Sequence, residues 1–521
     1  MIRVKNVKVS VLNDDLFLGV QKKVKTSNFK IIKILHKSID ARNKNDIFYV
    51  YDVVIESNEK IHLNDNIFLY EEKENKLTIK GSEKLLDSID IIGAGPSGLF
   101  CAYILSINGY NVHLFERGKC VEERKIDVQN FWDNNKLNLN SNVLFGEGGA
   151  GTFSDGKLMT NIKDKDGLIS LVLKIFYENG AKEDILYSNH PHLGTDELEK
   201  IVRNIRNKII ENGGQIYFSS MLTDIIIENN KVKGFIINND KTYETDNLVL
   251  AIGHSAKETF KLLHEKNVAM ENKPFAVGIR IMHDEKLIDE NQYGKFSKYL
   301  PHAEYKLTFK SSSNKGVYSF CMCPGGYVVN SSSEEKHLSI NGMSYSSRDS
   351  GVSNSAIIVT VSDKDYGSNV LDGLKFQEFL EEKAYALGNG CIPIQTFGDY
   401  KNNTINEENF NNLKIKGQTK YANINEIFPK EINDSLKEAI DNFSHKIKGF
   451  NDENTLIAAV ESRTSSPVKF IRNEDMSSSV KGLYPIGEGS GYAGGITTSA
   501  IEGIKMAKIF MEKYIPNQKY K

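Results

Sequence analysis

The stretch SIDIIGAGPSGLFCAYILSINGYNVHLFERG, residues 88–118, decides the fold. It reads strand, glycine turn, helix, strand. Ile89, Ile91 and Ile92 supply a buried first strand. Gly93 allows the tight turn, Gly95 lets backbone approach a pyrophosphate, and Gly98 lets the helix pack closely on the strand. The helix, opened by Pro96, aims its N-terminal N–H groups and positive dipole end at the phosphates. NVHLF is the second strand, and Glu116 at its end offers a carboxylate to a ribose diol. Gly93, Gly95, Pro96, Ser97, Gly98, Glu116 and Arg117 are therefore the candidate nucleotide contacts. The plainer alternative is a glycine turn with no ligand, but strand, turn, helix and acid all stand at the required spacing.

The G-x-G-x-x-G pattern occurs twice more, in FGEGGAGTFSDGKL (145–158) and as GSGYAG (489–494). The first follows only a short strand-like piece, and TFSDGKLMTN after it lacks helical periodicity. The second leads into a helix, but no second strand with its acid follows. One dinucleotide fold is expected. An enzyme holding FAD and NAD(P)H in separate Rossmann domains should show two.

The remaining sequence bounds the setting. The 521 residues suggest about three or four domain-sized units. With 66 basic and 68 acidic residues the net charge is −2, so nothing global points to nucleic acid or an anionic membrane. The apolar runs are too short for a membrane helix, and MIRVKNVKVSVLNDD lacks the apolar core of a signal peptide. Five cysteines make no disulfide framework. A cytoplasmic protein with reduced thiols is expected.

Residues 2–12 alternate as a strand. Leu16, Val20 and Val24 have helical spacing, and FKIIKIL and DIFYVYDVVIE read as two further strands. This small N-terminal α+β unit, expected to be ferredoxin-like, ends in the charged stretch KENKLTIKGSEK, with a boundary near residue 85. Its basic segment 21–46 could touch RNA; a solvated face is the plainer reading. Helices are expected at 167–179 and 196–211, the second capped by Thr195 or Asp196, and strands through 215–252. Further helices are expected around Leu371–Leu387, closed by Gly388, and around Ile432–Phe443. A final helix is expected from Thr498 to Tyr514. The fold class is α/β: an N-terminal domain over 1–85, a discontinuous Rossmann-type domain over 86–270 and 455–521, and an inserted α+β substrate domain over 271–454.

Two more segments bear on the cofactor. NLVLAIGHSA (247–256) is an apolar strand ending in glycine. KGLYPIGEGSGYAGGITTSAIEGIKMA (481–507) is a strand, then Gly487-Glu488, then a glycine turn into a helix. With the first motif, this trio resembles the FAD-binding scaffold of glutathione-reductase-type flavoproteins. The resemblance implies that the first motif holds the ADP half of FAD and that the strand before Gly253 passes behind the pyrophosphate. It also implies that Gly487 and Glu488 bind ribitol or pyrophosphate, glutamate replacing the usual aspartate, and that Leu222 lies beside the adenine. Independently, Gly495, Ile496 and Thr497 put a helix N-terminus where its N–H groups could meet the negative N1/O2 edge of a reduced flavin. A cap on a surface helix is the bland alternative.

ERGKCVEERKIDVQNFWDNN, SNVLFGEGGAGTFSDGKLMTN, SNHPHLGTDEL, YSFCMCPGGYV and ESRTSSPVKFIRN, read in order, resemble the bacterial FAD-dependent dehydrogenases, distant relatives of fumarate-reductase-type flavoproteins. The resemblance covers nearly the whole chain. It implies that Gly148, Gly149, Ala150, Gly151 and Thr152 clamp FAD through their backbone; from the helix after Glu116, Arg124 and Gln129 could extend the contacts. The expected function is an FAD-dependent oxidoreductase passing hydride or electrons through flavin N5 to or from a small molecule. NADH, NADPH or a donor protein is the expected electron source. The alternative is a flavoprotein whose N-terminal domain serves an RNA-modifying, RNA-binding or protein-binding role.

Candidate chemistry follows from spacing. Asp155 and Lys157, at i and i+2, share a side of an extended chain and could polarise a substrate or deliver a proton. An ion pair holding the loop is the alternative. Arg280 could anchor an anionic substrate or merely sit on a strand. His192 reads as structural rather than catalytic. Cys321 and Cys323 lack the spacing of a thioredoxin-type pair, though a redox-active thiol beside flavin is open. No metal set is evident.

Overall fold

The structure is a computed structural model, and it describes residues 1–72, 77–160, 162–164, 166–406 and 413–517. The start of KENKLTIKGSEK, residues 73–76, lies outside them. The first stretch forms a strand, Ile89–Ile92, and a helix, Pro96–Ile107, followed by a second strand, Val112–Phe115. The first strand is the middle of a five-stranded parallel sheet. Its order is Leu483–Pro485, Leu248–Leu250, Ile89–Ile92, Val112–Phe115, Gln215–Tyr217. A strand with parallel neighbours on both sides has both faces covered, which is why its residues are apolar in succession. Asp90 is the exception, and it is hydrogen-bonded by Ser88 and His113.

Helix Pro96–Ile107 is buried from Ser97 to Ser106, because helix Ile496–Lys513 and helix Thr195–Glu211 cover it. The latter buries Leu198, Ile201, Val202, Ile205 and Ile209 as one stripe; its cap is Gly194, one residue before Thr195. The crossing with Ile496–Lys513 is close. A Cβ on Gly503 would collide with the Ser97 carbonyl. An antiparallel meander, Leu222–Glu228, Lys231–Ile237 and Lys241–Glu244, packs on the parallel sheet through stacked Phe115 and Tyr217 and edge-on Phe235.

A second body is built on a seven-stranded sheet. Its order is Thr308–Lys310, Gly316–Cys323, Val352–Val361, Phe275–Asp284, Leu456–Glu461, Ile392–Thr396, Thr419–Tyr421. Strand Leu456–Glu461 pairs with Phe275–Asp284 and Ile392–Thr396. The chain therefore leaves this sheet after residue 461 rather than at 455. Helices Asp372–Gly388 and Lys430–Phe443 pack on it. The first is closed by Asn389 in the left-handed conformation, with Gly388 still helical.

The N-terminal unit is an antiparallel sheet ordered Lys30–Asp40, Phe48–Glu56, Ile2–Ser10, Ile67–Leu69, with helix Leu16–Val24 on one face. That strand order is the ferredoxin-like one, with one helix where the full βαββαβ unit has two. Its edge strand docks by backbone. Lys37 N donates to Tyr187 O at 2.7 Å and Asn189 N donates to Lys37 O at 2.8 Å.

Gly503→Ala should destabilise the protein by about 1–3 kcal/mol by forcing the two core helices apart. At this chain length a depressed thermal midpoint with an unchanged far-UV spectrum is the expected readout; an unchanged midpoint would show the crossing can relax freely.

Candidate functional site

The C-terminal ends of the parallel strands open on a cleft of about 1150 Å³, and strand Gly316–Cys323 of the second sheet forms its far wall. Ligands of open α/β sheets bind at that edge of the strands. Gly93, Gly95, Pro96, Ser97, Glu116 and Arg117 line one end. Gly93 has φ 101°, where a side chain is strained, and Gly98 lies under the turn with its would-be Cβ against Gly93 O. These are the turn and packing roles that the spacing assigns. Glu116 is more engaged than the sequence suggests. Its Oε2 accepts Ala94 N at 2.7 Å, and its Oε1 accepts Gly118 N and Gly146 N at 2.9 and 3.0 Å.

The glycine clamp divides. Gly149, Ala150 and Gly151 line the cleft, with Gly149 beside Gly95. Gly148 and Thr152 lie behind it. Gly148 N donates to Ala94 O, and Thr152 is buried beneath Glu147 O. Arg124 does not reach the cleft. Its guanidinium is fully buried and donates to the carbonyls of Asn142, Val143, Gly146, Glu147 and Gly149. It shapes the clamp from below. Gln129 pairs with Asp133 on the helix surface.

Leu222, Gly253, Glu488, Gly495 and Ile496 line the cleft. Gly487 sits against Ser97, and the Thr497 hydroxyl donates to Leu158 O at 2.7 Å, so both support the wall from outside it. Helices Pro96–Ile107 and Ile496–Lys513 both begin at this cleft without a side-chain cap. Two uncapped helix N-termini suit an anionic or electron-rich group. Buried His254 Nε2, Ser255 Oγ and Arg117 Nε have no hydrogen-bond partner among the described residues and belong to cleft-lining residues. Together with the open space at Gly253, Gly494 and Gly495, this donor set fits a bound dinucleotide. His254 and Ser255 carry no motif beyond following the strand that ends at Gly253.

Asp155 and Lys157 share a side of the cleft, their charged atoms 2.7 Å apart. The structure adds partners from distant segments. Arg348 Nη2 donates to Asp155 at 2.8 Å, Ser344 Oγ at 2.5 Å, and His192 Nε2 lies 3.8 Å away. Glu304 takes Arg348 at 3.3 Å and Lys157 at 3.7 Å. Burial pushes the Asp155 carboxyl up, but Lys157, Arg348 and His192 outweigh it and hold it below the usual range. Burial opposes the charge on Lys157, which Asp155 and Glu304 restore and raise. Burial, then Arg348, pushes His192 down to about 4. Glu304, despite burial, falls to about 2 under His190, Lys157 and Arg348. Glu304 and Arg348 had no local signal, because Glu304 lies roughly 150 residues and Arg348 193 residues along the chain from Asp155.

Arg280 is not an anion anchor. It is fully buried behind the far wall, bidentate on Glu461 at 2.8 and 3.0 Å, with Asn354, Asn341 and Cys321 O taking its other donors.

Comparison with known proteins adds the family. An uncharacterised protein of Clostridium beijerinckii is 42% identical over 531 residues, covering 98% of this chain and 99% of that protein. Residues 274–464 match the model "FAD-dependent protein, C-terminal domain-like", and residues 91–121 match "NAD(P)-binding Rossmann-like domain". The chain belongs to a family of FAD-dependent proteins. FAD is its cofactor. A thiamine thiazole synthase of Thermotoga maritima is 26% identical over 161 residues, 30% of this chain and 50% of that protein. Among solved structures, a glycine oxidase of Bacillus cereus shares 13% identity over 82% of this chain and 96% of its own, with a TM-score of 0.36. L-proline dehydrogenase of P. horikoshii shares 11% over 82% and 94%, with a TM-score of 0.34. No helix among the described residues is long and apolar enough to cross a membrane.

His192 should remain neutral down to about pH 5, followed by its imidazole NMR signals. Arg348→Gln removes a cation that disfavours protonation, so the titration should move upward. An ordinary midpoint near 6.5 in the unaltered protein would contradict the buried, cation-facing setting.

Proposed function

We propose that this chain is an FAD-dependent oxidoreductase acting on a small molecule held between the glycine clamp and strand Gly316–Cys323. One observation carries the reading: a single cleft joins the nucleotide-type glycine turn to the buried charge cluster of Asp155, Lys157, Glu304 and Arg348. The parallel sheet with its antiparallel meander supports a glutathione-reductase-type arrangement of the FAD domain. Gly95, Gly149 to Gly151, and the N-terminus of Ile496–Lys513 would hold the cofactor, with Arg117, His254 and Ser255 as side-chain donors. When bound, FAD supplies two-electron chemistry at its N5.

The chain's own residues orient the substrate and manage protons. Lys157 is held charged by two carboxylates, so it is a fixed cation or hydrogen-bond donor at the cleft floor. His192 is held neutral beside ionised Asp155, 3.2 Å from the Ser344 hydroxyl, so it positions that carboxylate without adding charge. A reduced nicotinamide arriving from solution is the proposed electron donor, since one dinucleotide fold is present among the described residues. The RNA reading gains no observation. In segment 21–46, Lys33 pairs with Glu72, Lys37 with Asp14 and Arg42 with Asp40, which neutralises three of its eight cations.

The anaerobic visible spectrum, before and after NADH or NADPH, tests this directly. Yellow protein that bleaches supports the proposed donor; bleaching by dithionite alone redirects the search to a protein donor; colourless protein that FAD cannot reconstitute overturns the reading. Gly95→Val is the specific control. Gly95 has an ordinary φ of −74°, and a Cβ there meets only Gly149 Cα at 3.9 Å, so the fold should tolerate it while the side chain fills the cleft. The expected result is a folded, colourless protein. Lys157→Met should keep the flavin yet lose about 10²–10⁴-fold in turnover once a substrate is in hand.

A further inference from the structure

The far wall of the cleft carries Cys321 and Cys323 on strand Gly316–Cys323, a feature the charge cluster and the nucleotide end leave unexplained. Pairing of this strand with Val352–Val361 is irregular between Phe320 and Cys323. Cys321 sits there with φ 43°, a left-handed conformation that costs a side-chain-bearing residue energy and clusters at functional sites. The two cysteines differ in access. Cys321 is half-buried and lines the cleft, whereas Cys323 is fully buried behind it. Cys323 Sγ lies 3.2 Å from Cys321 O.

Cations face the pair from two sides. Arg280, from strand Phe275–Asp284 beneath, places Nη1 3.1 Å from Cys321 O and 3.9 Å from Cys323 Sγ. Lys157, from the clamp, donates to Met322 O between the two cysteines. Asp155 and Glu304 bind Lys157 from the opposite side, and Glu461 binds Arg280. Buried Tyr305 packs nearby. A hydrogen bond from Cys323, then Arg280 and Lys157, hold the Cys321 thiol below its ordinary range against burial and Asp155. Burial pushes Cys323 up. Cys101, buried among apolar side chains, is likewise pushed up by burial. Lowered pKa and access together mark a reactive thiol.

We propose that Cys321 and Cys323 form a thiol–disulfide exchange pair opening on the cleft, with Cys321 the attacking thiolate, Cys323 the resolving thiol, and a small-molecule disulfide the substrate class. A buried second thiol beside an accessible first one serves a reaction whose intermediate is a mixed disulfide. Cys321 Sγ⁻ attacks one substrate sulfur; the substrate S–S bond breaks, and the first thiolate leaves with a solvent proton. Cys323 then gives up its proton and attacks the Cys321 sulfur. The Cys321–substrate bond breaks, and the second thiolate leaves with that proton. Dithiol plus disulfide becomes protein disulfide plus two thiols, and two electrons pass to the substrate. The proposal rests on the oxidoreductase reading only for the return of two electrons and two protons, from reduced flavin.

The test uses the full-length protein, reduced and desalted, with glutathione disulfide as the probe. Peptide mass spectrometry should show Cys321 alkylated by iodoacetamide faster than the other cysteines, with a midpoint below the ordinary thiol value of about 8.5. Glutathione disulfide should convert the peptide carrying both cysteines to the internal disulfide. Cys323→Ser should instead trap a glutathione adduct on Cys321, and Cys321→Ser should abolish both products. Slow alkylation of Cys321, or no adduct in folded Cys323→Ser, would overturn the proposal. Bound-flavin absorbance, read on the same samples, separates the two readings. Yellow protein with inert thiols sinks the pair alone, and exchanging thiols in protein that never binds FAD sink the flavin reading alone.

Discussion

The site depends on two buried ionic groups that neutralise backbone rather than each other. Glu116 accepts N–H groups from Ala94 in the first turn, from Gly118 after the second strand and from Gly146 in the clamp. Arg124 gathers five carbonyls from the segment between Asn142 and Gly149. A glycine-rich loop has little side-chain burial of its own and a large conformational entropy to lose. One carboxylate and one guanidinium fix both faces of that loop against the parallel sheet. Charge-assisted bonds are the strong ones, and a buried ion stripped of its partners costs several kcal/mol. The protein's own charge-assisted bonds therefore hold the clamp against the sheet.

This explains how much of the site was legible in sequence. The first motif is local: strand, turn, helix and acid lie within about thirty residues, and each position has a steric or electrostatic reason that spacing exposes. The far ends of the cleft are not local. Glu304 and Arg348 reach Asp155 and Lys157 only because the seven-stranded sheet carries them there. Arg280 illustrates the opposite error. An arginine on a predicted strand invites a ligand, yet two carboxylate oxygens, two side-chain amides and a carbonyl already satisfy it. Sequence gives the donor but not the acceptors. Arg124 differs in the same way, since a helix position next to the motif does not tell whether the side chain points over or under the clamp.

The domain edge shows a related limit. Leu456–Glu461 is apolar like a parallel core strand, and the glycine turn and Ile496 helix that follow belong to the nucleotide half. Its partners, Phe275–Asp284 and Ile392–Thr396, place it in the other sheet. Apolar composition identifies burial, and pairing decides between sheets.

The two halves of the cleft therefore work by different electrostatics. At the nucleotide end the donors are helix N-termini and amides, which carry partial charge, need no counterion and approach closely where glycine stands. At the far end the charges are whole but compensated: Asp155 and Glu304 against Lys157 and Arg348, with His192 held neutral. Behind them Arg280 is matched by Glu461. A balanced cluster exerts little net pull on an approaching ion, because opposite charges a few ångströms apart largely cancel at distances well beyond their separation, and salt screens what remains. At contact distance the same cluster is strongly polar and its members are fixed by one another. Such a floor selects by orientation instead of by net charge. On the proposed function, the uncapped N-terminus at Ile496 is the group that would answer a bound cofactor's negative charge at the other end.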